Sequence, residues 1–98
     1  MSINIYMKKA FVSKQNFKHR YRVCRICNES DYQLLDVHRW NIEGKDGGKY
    51  TNENCVCVCV RCHRLIHANK IKIKGIFNST CGQLLNYIDK HGKEHFVK

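Results

Sequence analysis

The stretch Asn54–His67, NCVCVCVRCHRLIH, decides how this chain is read. It holds a Cys-x-x-Cys pair (Cys59, Cys62), a histidine directly after it (His63) and a second histidine four residues on (His67). Cys and Val alternate through residues 55–60. That alternation predicts a strand with Val56, Val58 and Val60 on one face and Cys55, Cys57 and Cys59 on the other. A helix is expected over 62–68, because His63 and His67 at i and i+4 then share a face while Leu65 and Ile66 turn to the core. Asn69 ends it. Every spacing in this stretch suits metal binding.

Its first partner lies upstream, at Cys24-Arg25-Ile26-Cys27, where Asn28 is placed to accept the tight turn that follows a knuckle's second cysteine. The two Cys-x-x-Cys pairs are separated by 31 intervening residues. A two-residue gap lets both thiolates of a pair reach one ion, so Cys24, Cys27, Cys59 and Cys62 predict a closed tetrahedral zinc site of structural type. Seven cysteines make an odd count, and the absence of an apolar leader gives no support for an oxidising compartment. Zinc in a reducing cytoplasm therefore fits better than a disulfide framework. The remaining Cys55, Cys57 and Cys81 read as small buried hydrophobes. A chain of 98 residues is near the lower limit for a self-sufficient core. A structural zinc site, worth on the order of 10–16 kcal/mol in small domains, would supply the missing stability.

Between the pairs, YQLLDVHRW (32–40) predicts a strand with Asp36 and His38 on one side and Val37 and Arg39 on the other. NIEGKDGGKY (41–50), with its three glycines, reads as the turn of a long β-hairpin that returns through Asn54 to Cys59. Downstream, IKIKGIF (71–77) alternates like a half-exposed strand. LLNYID and EHFVK read as a closing hairpin turning at His91-Gly92.

Charge points to the partner. Lys and Arg number 18 against 8 Asp and Glu, a formal net charge of +10, which favours polyanions, nucleic acid ahead of a membrane surface. Residues 1–22 carry six of the cations (Lys8, Lys9, Lys14, Lys18, Arg20, Arg22) and no acid, interleaved with Tyr6, Phe11, Phe17 and Tyr21. Such an arm can follow a phosphate backbone while its aromatics pack on sugar or base; a solvated arm is the alternative. No run of about 18 apolar residues offers a membrane span.

Taken together, CRIC (24–27), LDVHRW (35–40), the GKDGGKYTNEN loop ending at Asn54 and CVRCHRLIH (59–67) resemble an HNH endonuclease of the ββα-metal (His-Me finger) group. The likeness is to the zinc-stapled form found in phage and homing nucleases, and it covers about 45 of the 98 residues. It implies a small α+β fold, a zinc-stabilised ββα-metal domain over 23–75; the basic arm over 1–22 and the β-hairpin extension over 76–98 lie outside the motif and rest on the residue reading above. It implies that His38 and His63, with His67 as in some members, hold a catalytic Mg2+ or Mn2+, and that Asn54 ties the hairpin loop. The activity implied is hydrolysis of DNA phosphodiesters, by nicking or by double-strand cleavage, and a homodimer would supply a second active site. A catalytically silent nucleic-acid-binding protein is the alternative.

One position departs from the family. Where many members carry a water-activating histidine after the first ligand, this chain has Arg39, a permanent cation without an acceptor. Arg39 is instead expected to grip a phosphate. The proton then falls to Tyr50, His19, His91, His95 or the ion's own water.

Overall fold

The computed structural model describes residues 10–11, 13–41, 49–51 and 53–98, which form a small α+β protein. Its centre is an antiparallel pair, β2 (Leu35–Arg39) and β4 (Cys55–Cys59), followed at once by a helix, α2 (Val60–His67). The register sets Leu35 opposite Cys59, Val37 opposite Cys57 and His38 opposite Val56. All five residues of β4 are buried, so both of its faces are covered. Alternation divides β2 as expected: Leu35 and Val37 are buried, while Asp36 and His38 share the other, half-buried side.

Two boundaries move. Tyr32–Leu34 make a single 3-10 turn capped by the Asp31 side chain, which accepts the Gln33 N–H, so β2 begins at Leu35. The helix starts two residues earlier than its histidine spacing suggested, because Cys59 serves as its N-cap. Asn69, with φ 62°, turns the chain out of α2, where asparagine tolerates the left-handed region better than most residues. The expected turn over 41–50 lies largely outside the described residues. Its closing end is seen: the Trp40 N–H donates to the Asn54 carbonyl at 3.0 Å, and the Trp40 indole N–H donates to the Glu53 carbonyl at 2.8 Å.

The basic arm expected over 1–22 is corrected over its second half, where Lys14–Tyr21 form a helix, α1. Ser13 caps it by accepting the Asn16 N–H, and Phe17 and Tyr21, four residues apart, bring their rings to 4.7 Å on its inner side. Phe17 is only 2% exposed and sits in the same core as Cys57, Val58 and Leu35. A two-residue bridge, β1 (Ala10–Phe11) with β3 (Tyr50–Thr51), adds a short antiparallel pair upstream.

The C-terminal part is likewise more than a hairpin. β5 (Lys72–Ser79), β6 (Gly82–Ile88) and β7 (Glu94–Val97) form one antiparallel sheet in that order. The boundary expected at 75/76 therefore falls inside β5. Thr80 and Cys81 make a two-residue turn in which Ser79 Oγ donates to the Gly82 carbonyl at 2.7 Å and accepts the Cys81 N–H. The second turn falls at His91-Gly92 as expected, with Gly92 at φ 85° and the Asp89 carboxylate accepting the His91 and Lys93 N–H groups at 2.9 Å. Leu85 and Tyr87 carry this sheet into the common core. Among the described residues no helix is long and apolar enough to cross a membrane.

Because Phe17 is the anchor of α1, Phe17→Ala should cost about 3–5 kcal/mol in urea denaturation of the zinc-loaded protein. A loss of only about 0.5 kcal/mol, the size of a surface substitution, would return residues 14–21 to a loosely held arm.

Candidate metal centres

Two groups of side chains meet at the junction of β4 and α2. In the first, the Sγ atoms of Cys24, Cys27, Cys59 and Cys62 all lie within 4.8 Å of one another. Cys27 and Cys59 are 3.5 Å apart, close to the roughly 3.8 Å separating two sulfurs of a tetrahedral site with Zn–S near 2.3 Å. Each pair forms the same tight turn. The Cys27 N–H points at Cys24 Sγ (3.5 Å) and the Cys62 N–H at Cys59 Sγ (3.4 Å). The first turn closes with Asn28 at φ 69°, its N–H donating to the Cys24 carbonyl at 2.9 Å.

All seven cysteines are free thiols, and the donor set fits Zn2+. Burial, followed by the neighbouring Cys24 and Cys59, pushes the Cys62 thiol far up, a cost that a cation bound among the four sulfurs would offset. Cys59 has a further advantage, since it caps α2 and its sulfur faces the positive end of the helix dipole. Cys55 and Cys57 behave as expected, buried thiols whose pKa values burial pushes up to about 11. Cys81 does not: it is exposed, at the tip of the β5–β6 turn.

The second group is His38, His63 and His67, whose ring nitrogens also lie within 4.8 Å of one another. The His38 ring is 5.3 Å from each of the other two, and those two are 4.6 Å apart. His63 Nε2 and His67 Nε2 are separated by 3.0 Å. Two imidazoles bound at 2.0–2.1 Å to one ion stand about 2.8–3.4 Å apart for angles between 90° and tetrahedral, so this spacing also fits a shared cation. His67 is exposed and His38 and His63 are half-buried, leaving one side open to solvent.

Asp36 was not anticipated as part of this site. Its Oδ2 accepts the Nδ1–H of His63 at 3.1 Å, and its Oδ1 pairs with Lys14 Nζ at 3.1 Å. Burial alone would raise its pKa; the Val37 N–H, the Lys14 ammonium and His63 outweigh that and hold the carboxyl below its usual range. The charged carboxylate thereby fixes His63 in the tautomer with a bare Nε2 lone pair, the form that binds metal. The signal in the sequence was its place two residues before His38 on one strand face. Lys14 ties α1 to the same carboxylate.

Asn54 is buried, its side-chain amide donating to the Lys49 carbonyl at 3.0 Å, with its N–H near Thr51. It braces the end of the hairpin loop. Arg39, next to His38, falls on the opposite side of β2 and carries its guanidinium 4.6 Å over the Tyr50 ring. None of the remaining candidate bases belongs to the three-histidine group. His19 Nδ1 accepts from Arg22 Nη2 at 3.0 Å, and its ring stands edge-on to Tyr32. His95 pairs with Asp89 at 2.8 Å and stacks on Tyr87, and His91 is exposed in the β6–β7 turn. Comparison with protein-family models, curated proteins and solved structures gives no match.

If Asp36 holds the histidine in its ligand form, Asp36→Asn should weaken Zn2+ or Ni2+ binding at the histidines about 10–100-fold, read by calorimetric titration of protein already loaded at the cysteines. Unchanged affinity would reduce Asp36 to a surface partner of Lys14.

Proposed function

We propose that this protein is a metal-dependent DNA endonuclease of the HNH type, built on a ββα-metal unit of β2, β4 and α2 with a structural zinc at its four clustered cysteines. The observation that carries the reading is the convergence of His38 with His63 and His67 from two elements, with a carboxylate behind His63. Unrelated surface histidines have no reason to share one point and an orienting acid. The net charge of +10 supplies the attraction for a polyanion.

Within this reading His38, His63 and His67 hold one divalent ion. When bound, that ion would polarise the scissile phosphate and stabilise the charge on the leaving 3′ oxygen. Imidazole donors suit Zn2+, Ni2+ or Fe2+ better than Mg2+ or Mn2+, which favour oxygen ligands, so Zn2+, Ni2+ or Fe2+ is the first choice in place of the magnesium or manganese expected from the family likeness. Asp36 keeps His63 oriented, and Asn54 holds the loop between the two strands. Arg39, stacked on Tyr50 at the end of β2, offers a bidentate donor pair to a backbone phosphate. Tyr50, whose ring lies under the Arg39 guanidinium, is one candidate proton acceptor.

A second reading, a silent nucleic-acid-binding protein, is favoured by one observation. The position beside His38 holds a permanent cation turned to the other side of the strand, and no fourth histidine joins the three among the described residues.

Nicking of supercoiled plasmid distinguishes the two, run with Mg2+, Mn2+, Zn2+ and Ni2+ in parallel on the unaltered protein and on His63→Ala. The nuclease reading expects open-circular product that falls at least 100-fold in the variant. Retardation of the plasmid without cutting in any metal would leave the binding protein.

A further inference from the structure

Away from the histidines, a cleft of about 320 Å³ is lined by Arg20, Tyr21, Val23, Arg25, Gln83 and Lys98. It lies where the end of α1, the first cysteine turn and the C-terminal sheet meet, and it shares no residue with either metal centre. Three of its six lining side chains are cations and none is an acid.

Arg25 makes this cleft unlike a solvated basic face. Its N–H is fixed on the Cys57 carbonyl at 3.0 Å and its Nε donates to the Lys98 main-chain oxygen at 3.1 Å. The guanidinium is half-buried, and it forms no ion pair with an acidic side chain among the described residues. Burial lowers its pKa from the usual arginine value. Held by these two bonds, Arg25 joins Arg20 and Lys98 in a lining of three cationic side chains and no acidic one. Beside it the Tyr21 ring, packed on Phe17 at 4.7 Å and carrying the Arg20 guanidinium at 5.2 Å, forms part of the cleft wall. The volume is at the small end of the about 300–1,000 Å³ typical of ligand sites, room for one nucleotide unit.

From this arrangement we propose that the cleft is a second phosphodiester subsite, in which Arg20, Arg25 and Lys98 hold one backbone phosphate of a nucleic-acid strand while Tyr21 packs on the adjoining sugar or base. The inference rests on nucleic acid being the partner but not on cleavage. Guanidinium forks match phosphate oxygens in bidentate fashion, and an aromatic face accepts any base, so the subsite positions the strand without reading sequence. It gives the chain two grips on one strand, one at the histidines and one here.

The test is the salt dependence of DNA binding by the zinc-loaded full chain, measured by fluorescence anisotropy on a labelled duplex. Arg20 and Lys98 are exposed, so Arg20→Gln with Lys98→Gln removes charge without touching the core. The slope of log K against log salt should become shallower by about 0.9 for each phosphate that is no longer neutralised, with affinity at low salt down about tenfold. Arg25→Lys, which keeps the charge but loses the fork, should weaken binding while leaving the slope unchanged. An unchanged slope in the double variant, with the unaltered protein still binding, would overturn the subsite and leave the endonuclease reading intact. Failure of the unaltered protein to bind DNA would overturn both. Displacement of DNA by millimolar inorganic phosphate supports a phosphate-sized site, whereas binding of the unaltered protein to phosphatidylserine vesicles in preference to DNA would overturn the nucleic-acid assignment.

Discussion

The Cys59 sulfur is the atom on which the rest of this structure depends. It ends β4, accepts the N–H of Cys62 at 3.4 Å as the cap of α2, and stands 3.5 Å from Cys27 of the other pair. One side chain therefore fixes the strand-to-helix angle and joins residues 32 positions apart. The position of His63 and His67 follows from that angle, since both lie on the helix that Cys59 starts. His38 is set by the same constraint from the other direction, through the register that puts Leu35 opposite Cys59. A shift of one residue in that register would turn Asp36 and His38 away from α2 altogether.

The surrounding parts close this junction. Phe17 of α1 fills the core beside β2 and β4, and Lys14 reaches the Asp36 carboxylate at 3.1 Å. From the C-terminal sheet comes Tyr87, whose hydroxyl is pushed up first by burial, then by Asp89 and by the nearby cysteines. The two-strand pair thus has cover on both faces, which is why β4, with Cys and Val in strict alternation, is buried along its whole length. Small cysteine side chains let the cover approach closely.

What was legible in the sequence was whatever had a fixed spacing. The two Cys-x-x-Cys pairs, the i and i+4 histidines, the Asp36/His38 face and the turn at His91-Gly92 all rest on local periodicity, and local periodicity survives folding. α1 was missed because only Phe17 and Tyr21 mark its apolar side amid six polar residues; its stability comes from where Phe17 lands, a tertiary fact. The turn at Thr80-Cys81 was missed for a different reason. It draws its order from the Ser79 hydroxyl bonding across the hairpin rather than from an Asn-Gly or Asp-Gly pair. Asp36 was visible on the correct face, yet its bond to His63 joins residues 27 apart and needed the fold to appear. Cys81, taken for a core residue by its type, is exposed because the turn that carries it is a sheet tip.

The central claim is that a cation at the four cysteines organises the fold and so assembles the histidines. Titration of metal-free protein with Co2+, followed together by thiolate-to-cobalt charge-transfer absorbance and by far-ultraviolet circular dichroism, tests it most directly. The two signals should rise together and saturate at one equivalent, as metal-coupled folding requires, before any further ion binds at the histidines. Native dichroism already present in the metal-free chain, and unmoved by the first equivalent, would contradict it.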